Sequence, residues 1–169
     1  IIENKSWNTS WAAGVPGSVA GFGMAHNKFG SAKWEELVRP ASQLATLGFP
    51  LDFQNISYLN LPYYHSYLSY DPETEKIFTK SDPFELYEIF YQIDLGKTLQ
   101  RIAEFGWKEF YTGKTANMIE KCMQRTDGLI TKEDLQNYRA IERDPITFKY
   151  RSFKVHSMPP ASSGGIAIA

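Results

Sequence analysis

The residues best suited by type and spacing to do chemistry stand near the end of the chain, in Met158-Pro159-Pro160-Ala161-Ser162-Ser163-Gly164-Gly165. Two hydroxyls beside two glycines, after a rigid proline pair and before an apolar run, predict a strand-to-helix junction with free backbone amides. Such amides can hold a carboxylate or an oxyanion, and glycine permits close approach. The same residues also suit helix capping, with Ser162 or Ser163 accepting from first-turn amides. The G-x-S-x-G spacing of a nucleophile elbow is missing, and no acid and base accompany the serines in sequence. Ser162, Ser163, Gly164 and Gly165 are therefore candidates for touching a substrate, not for attacking one.

Other reactive residue types are sparse. Cys122 is the only cysteine, which excludes an internal disulfide and a cysteine-rich zinc site. It shares a helical stripe with Met118, Ile119 and Met123, so the pattern predicts a buried, inert thiol. His26, His65 and His156 are far apart and form no ligand pair; no metal site is expected. "RTDGLITKEDL" has the outline of a half calcium loop, but alignment on Gly128 puts Met123 and Arg125 at ligand positions, where neither can coordinate a hard cation. A turn at Gly128 followed by a capping box from Thr131 to Asp134 explains the stretch better. Asn4-Lys5-Ser6, Asn8-Thr9-Ser10 and Asn55-Ile56-Ser57 match the glycosylation sequon, which matters only in a eukaryotic secretory pathway.

The elements that must position these residues are mostly helical. Ser18 is placed to cap a helix carrying Val19, Phe22, His26 and Phe29 on one stripe, with Gly30 as its stop. His26 on that stripe reads as a hydrogen-bonded core histidine. Gly21 and Gly23 weaken this helix unless another backbone packs close. A second helix, capped by Ser31 and stopped by Gly48, carries Trp34, Leu37, Val38, Leu44 and Ala45; Pro40 should kink or split it. The Tyr-rich stretch after Leu51 reads as amphipathic packing on a partly wet helix face, with an aromatic binding platform as the alternative. Leu95, Leu99, Ile102 and Ala103 mark a helix ending at Gly106, and Gly113 divides a short helix from a longer one. From Ile146 the period changes to two, and Ile146, Phe148 and Tyr150 pair with Phe153 and Val155 in a β-hairpin whose Arg151-Ser152 turn lacks the usual Asn or Gly.

With 169 residues the chain has the length of one ordinary domain. Its 18 basic and 19 acidic residues nearly balance without clustering, so it has no electrostatic footprint for nucleic acid. No apolar run approaches the roughly 20 residues of a membrane-spanning helix. The opening Ile1-Ile2-Glu3 has neither an initiator Met nor a signal-peptide pattern, and the chain breaks off in an apolar run, which predicts an excised internal piece.

Five stretches taken in order resemble the gamma-glutamyltranspeptidase family: "AAGVPGSVAGFGMAHNKFG", "WEELVRPASQLATLGFP", "YQIDLGKTLQRIAEFGWKEFYTGKTANMI", "GLITKEDLQNYRAIERDPI" and "YRSFKVHSMPPASSGG". The region between about Leu51 and Glu88 matches least. The resemblance implies an α+β chain: a mostly helical section at about residues 14–138, then a hairpin and helix start at about 145–169. Together these would be an incomplete section of one αββα N-terminal-nucleophile hydrolase domain.

It further implies a self-cleaving precursor whose nucleophile is the new N-terminal threonine of the small subunit, with its own amine as general base. The substrate would be a small γ-glutamyl compound such as glutathione, and the acyl group would pass to water or an amino acid. No cofactor or metal is implied. The partner would be the rest of the precursor, above all the small subunit, and the location periplasmic, secreted or at the cell surface. The family's threonine segment is expected beyond Ala169, and its carboxylate-binding arginine precedes "GVPG"; Arg39 lies in a different helix and is not that arginine. The chain itself should therefore hold no catalytic residue and be inactive alone. Two other readings stand beside this one: a related amidohydrolase of the cephalosporin acylase or poly-γ-glutamate depolymerase type, and a non-enzymatic helical binding module.

Overall fold

A computed structural model describes Trp7 and residues 9–169. They divide into two compact units, the first ending at Arg139 and the second running from Ala140 to Ala169.

The first unit opens with a 3-10 turn, Ser10–Ala12, followed by α1 (Ser18–Phe29), α2 (Trp34–Leu47) and a two-residue strand β1 (Phe49–Pro50). Three short helices follow: α3 (Phe53–Leu59), α4 (Pro62–Leu68) and α5 (Pro72–Phe78). Strand β2 (Ile89–Phe90) then leads to α6 (Ile93–Phe105), α7 (Glu109–Thr112), α8 (Lys114–Arg125) and α9 (Lys132–Asn137). β1 and β2 pair antiparallel, Phe49 opposite Phe90, a small sheet that helical periodicity did not announce. Beside it, buried Leu51, Phe84 and Phe90 pack with Phe49, Ile56, Leu59 and Phe78.

The most extensive pairing joins α2 and α6. Their backbones approach closely at Gly96, where an added Cβ would run into the Thr46 hydroxyl and come within 3.3 Å of the Ser42 carbonyl. Ser42 Oγ donates to the Gly96 carbonyl at 2.9 Å, and Trp34 Nε1 donates to the Ile102 carbonyl at 2.8 Å. α2 runs unbroken through Pro40, so the expected split does not occur there. Pro40 is exposed, so the carbonyl deprived of its partner can reach water. Gly48 and Gly106 end α2 and α6 as expected, both at φ 81°, a region glycine enters without strain. The expected Ser31 cap is not used; Lys33 occupies the cap position of α2 without a side-chain bond.

α1 departs further from expectation. Its cap position is Gly17, and Ser18 is already helical. Ala20 and Gly23 are its buried residues, because Gly23 sits directly against the Trp107 indole. Phe22 and Phe29, expected to face inward, are 68% and 76% exposed and line an apolar groove of about 530 Å³ with Trp34, Leu37, Val38 and Leu99. In α8 the buried residues are Thr115 and Ala116, one turn before Met118 and Ile119 on the same side of the helix; Ile119 and Met123 are half-buried and Cys122 is exposed. On α1 the small residues made the close contacts, so ranking positions by hydrophobicity chose the wrong face.

After α8 the chain turns at Asp127, at φ 55°, and not at Gly128, whose bare Cα accommodates Met123 and Ser10. Thr131 then caps α9 in the expected box with Asp134: Thr131 Oγ1 accepts from the Asp134 amide at 3.1 Å, and Asp134 accepts from the Thr131 amide at 2.9 Å. The two bonds from Thr131, led by its hydroxyl, hold the Asp134 carboxyl below its ordinary pKa.

The second unit contains the hairpin β3 (Ile146–Tyr150) and β4 (Phe153–Ser157), then α10 (Gly164–Ile168). Its register places Ile146, Phe148 and Tyr150 opposite Ser157, Val155 and Phe153, as the alternation predicts. Arg151 makes the turn at φ 54°, and its guanidinium lies 5.3 Å from the Tyr150 ring centroid. That cation–π contact offsets part of the cost of a non-glycine residue there.

Candidate functional site

The Ser162–Gly165 junction lies where the sequence puts it, between β4 and α10. The Ser162 amide donates to the Pro159 carbonyl at 3.1 Å, closing a turn after the proline pair. Ser163 holds the cap position of α10 with helical dihedrals, and its side chain makes no capping bond. The capping role expected of Ser162 or Ser163 is therefore not performed by a hydroxyl. Gly165 is buried: a Cβ there would collide with the Met158 carbonyl and lie 3.1 Å from Ser157 Oγ. Gly164 has open space beside it, its nearest neighbour being Ser162 Oγ at 3.7 Å. One glycine thus closes the strand onto the helix, and the other keeps the surface low next to two hydroxyls.

A second cluster fixes the Gly14-Val15-Pro16-Gly17 turn. Tyr111, only 3% exposed, donates its hydroxyl proton to the Pro16 carbonyl at 2.7 Å and accepts from the Ala20 amide at 3.0 Å. It supplies the N-terminal cap that Ser18 was expected to give. Burial pushes the Tyr111 phenol pKa up, which keeps the donating proton in place. The Tyr111 ring stacks on Tyr138 at 5.6 Å, and the bare Cα of Gly17 makes room for the Tyr138 hydroxyl. "GVPG" needs its last glycine for that contact.

Behind this lies a buried carboxylate. Glu109 accepts from the Thr115 amide at 3.0 Å and from the Thr115 hydroxyl at 2.6 Å, and Arg101 Nε stands 3.4 Å away. Glu109 therefore caps α8 and ties α6, α7 and α8 together. Gly113 is required between them, since a Cβ would press on the Glu109 backbone and side chain. Sequence reasoning missed Glu109, Arg101 and Tyr111; the signal available was a carboxylate and a tyrosine in an otherwise periodic stretch, just before a glycine.

The remaining candidates stay dispersed. His26 keeps its expected hydrogen bond, Nε2 to the Ala32 carbonyl at 2.9 Å, but it is only partly buried and packs edge-on against Trp34 at 5.3 Å. His156 pairs across the hairpin with Thr147 at 3.0 Å, and His65 is exposed on α4. Among the described residues no three His, Cys, Asp or Glu side chains converge as metal ligands. Asn4 and Asn8 lie outside the described residues, while Asn55 forms a capping box with Asp52 in the first turn of α3. No nucleophile with an adjacent base occurs at the Ser162–Gly165 junction or in the tyrosine cluster. What the two places offer is backbone shaped by glycines and held by local hydrogen bonds.

The mixed arrangement of helices and small antiparallel hairpins is that of solved gamma-glutamyltranspeptidases, which have the N-terminal-nucleophile hydrolase fold. The sequence model of the gamma-glutamyltranspeptidase family matches residues 3–169, and the chain belongs to that family. It is 43% identical over 168 residues to the glutathione hydrolase proenzyme of Escherichia coli (strain K12), covering 98% of this chain and 29% of that protein. The crystal structure of Helicobacter pylori gamma-glutamyltranspeptidase superposes with a TM-score of 0.91 at 36% identity, covering 99% of this chain and 48% of the other. Cephalosporin acylase from Bacillus halodurans matches with a TM-score of 0.77 at 25% identity, over 87% of this chain and 29% of that one. The chain thus spans under a third of the length of the E. coli relative.

Proposed function

We propose that the whole protein cleaves γ-glutamyl amides such as glutathione and transfers the acyl group to water or an amino acid, and that these residues are an internal section of its large subunit. The observation that carries this reading is the family match along almost the whole chain, together with relatives named glutathione hydrolase proenzyme. Coverage of 48% of one solved chain against 29% of a proenzyme fits a precursor that is divided after synthesis.

In this account the N-terminal threonine of the small subunit attacks the γ-glutamyl carbonyl. The amide C–N bond breaks, the amine leaves with a proton, and a γ-glutamyl ester remains on the enzyme. Water or an amino acid then attacks that ester and restores the threonine hydroxyl. The present chain supplies no group to these steps, and no cofactor or metal takes part. Its contribution is scaffold, within one αββα domain completed by the small subunit. Ser162, Ser163, Gly164 and Gly165 are its candidates for contact with substrate, since both serine hydroxyls are without a capping duty and Gly164 leaves room beside them. Export to a periplasm, cell surface or medium accompanies this reading; among the described residues no helix is long and apolar enough to cross a membrane.

The test is release of nitroaniline from γ-glutamyl-p-nitroanilide by the full-length protein. Turnover that stops when the N-terminal threonine of the small subunit is replaced by alanine supports the reading; absence of turnover, or turnover indifferent to that replacement, contradicts it. The acylase reading keeps the fold and changes the acyl group. Its identity is lower, 25% against 36%, and equal or faster cleavage of a cephalosporin side-chain amide would favour it.

A further inference from the structure

We draw no further inference here: the strongest candidate, the apolar groove between α1, α2 and α6 lined by Phe22, Phe29, Trp34, Leu37, Val38 and Leu99, carries nothing because the chain spans 29% of the length of the E. coli relative and nothing in the structure shows what covers the groove in the whole protein.

Discussion

The α2–α6 pair and the α3–α5 segment are neighbours in sequence, yet they are held by opposite means. α2 and α6 are 14 and 13 residues long and meet through small residues, with Gly96 against Ser42 and Thr46. Their hydrogen bonds run between uncharged groups. Each of α3, α4 and α5 has seven residues and buries none of them. Ile56, Leu59 and Phe78 pack only partly buried on Leu51, Phe84 and Phe90, and polar side chains turned onto backbone add to this: Asp52 and Asp71 cap α3 and α5, and Asn60 grips Phe84 at both its amide and its carbonyl. Close approach of backbones thus builds the long pair, while side-chain caps on α3 and α5 supplement thin apolar packing in the short segment. Helices of two turns have too little propensity to persist in isolation.

The strongest way to break this contrast is Gly96→Val. Overpacking at a backbone contact should cost about 3 kcal/mol and lower the melting temperature of the full-length protein. An unchanged melt would mean that the helices do not meet there. Next, Asn60→Ala strips both partners from Phe84 and should cost about 2 kcal/mol. Hydrogen exchange should show the loss confined to the segment around α3–α5, with the Phe84 amide exchanging fastest and α2–α6 protection retained.

A smaller effect separates the regions by pH. The Thr74 amide, above all, holds the Asp71 carboxyl below the usual carboxylate range, aided by the Thr74 hydroxyl and Arg125. A carboxyl with a lowered folded pKa stabilises the fold above its unfolded pKa, and that contribution is lost as pH falls through the folded value. Below about pH 4 the α5 amides should therefore lose protection while the uncharged Ser42–Gly96 contact does not. Asp71→Asn should remove this acid dependence. Smallest of all, Arg151→Gly relieves a left-handed turn residue and gives up a cation–π contact, so the hairpin should be stabilised by no more than about 0.5 kcal/mol in thermal melts.

The same contrast explains what could be read in advance. The glycine stops of α1, α2 and α6, the division at Gly113, the Thr131–Asp134 box and the hairpin register all follow from local rules, and each was legible. The inward face of α1 was not, because Ala20 and Gly23 are buried against Tyr111 and Trp107, far along the chain. Cys122 went wrong for a different reason: its stripe does turn inward, but only the start of α8, at Thr115 and Ala116, is buried. The Tyr111 cap on α1 bridges residues 91 apart, and no window along the sequence contains both ends. The Ser162–Gly165 junction was legible as a strand-to-helix turn, while the idle Ser163 side chain became visible only with its helical dihedrals.

The central claim is that this chain is scaffold for a nucleophile carried on another part of the same precursor. Intact mass and N-terminal sequencing of the purified full-length protein test it most directly. The account predicts two chains, the smaller beginning with threonine and the larger containing these 169 residues. A single uncleaved chain that turns over γ-glutamyl-p-nitroanilide at full rate would contradict it.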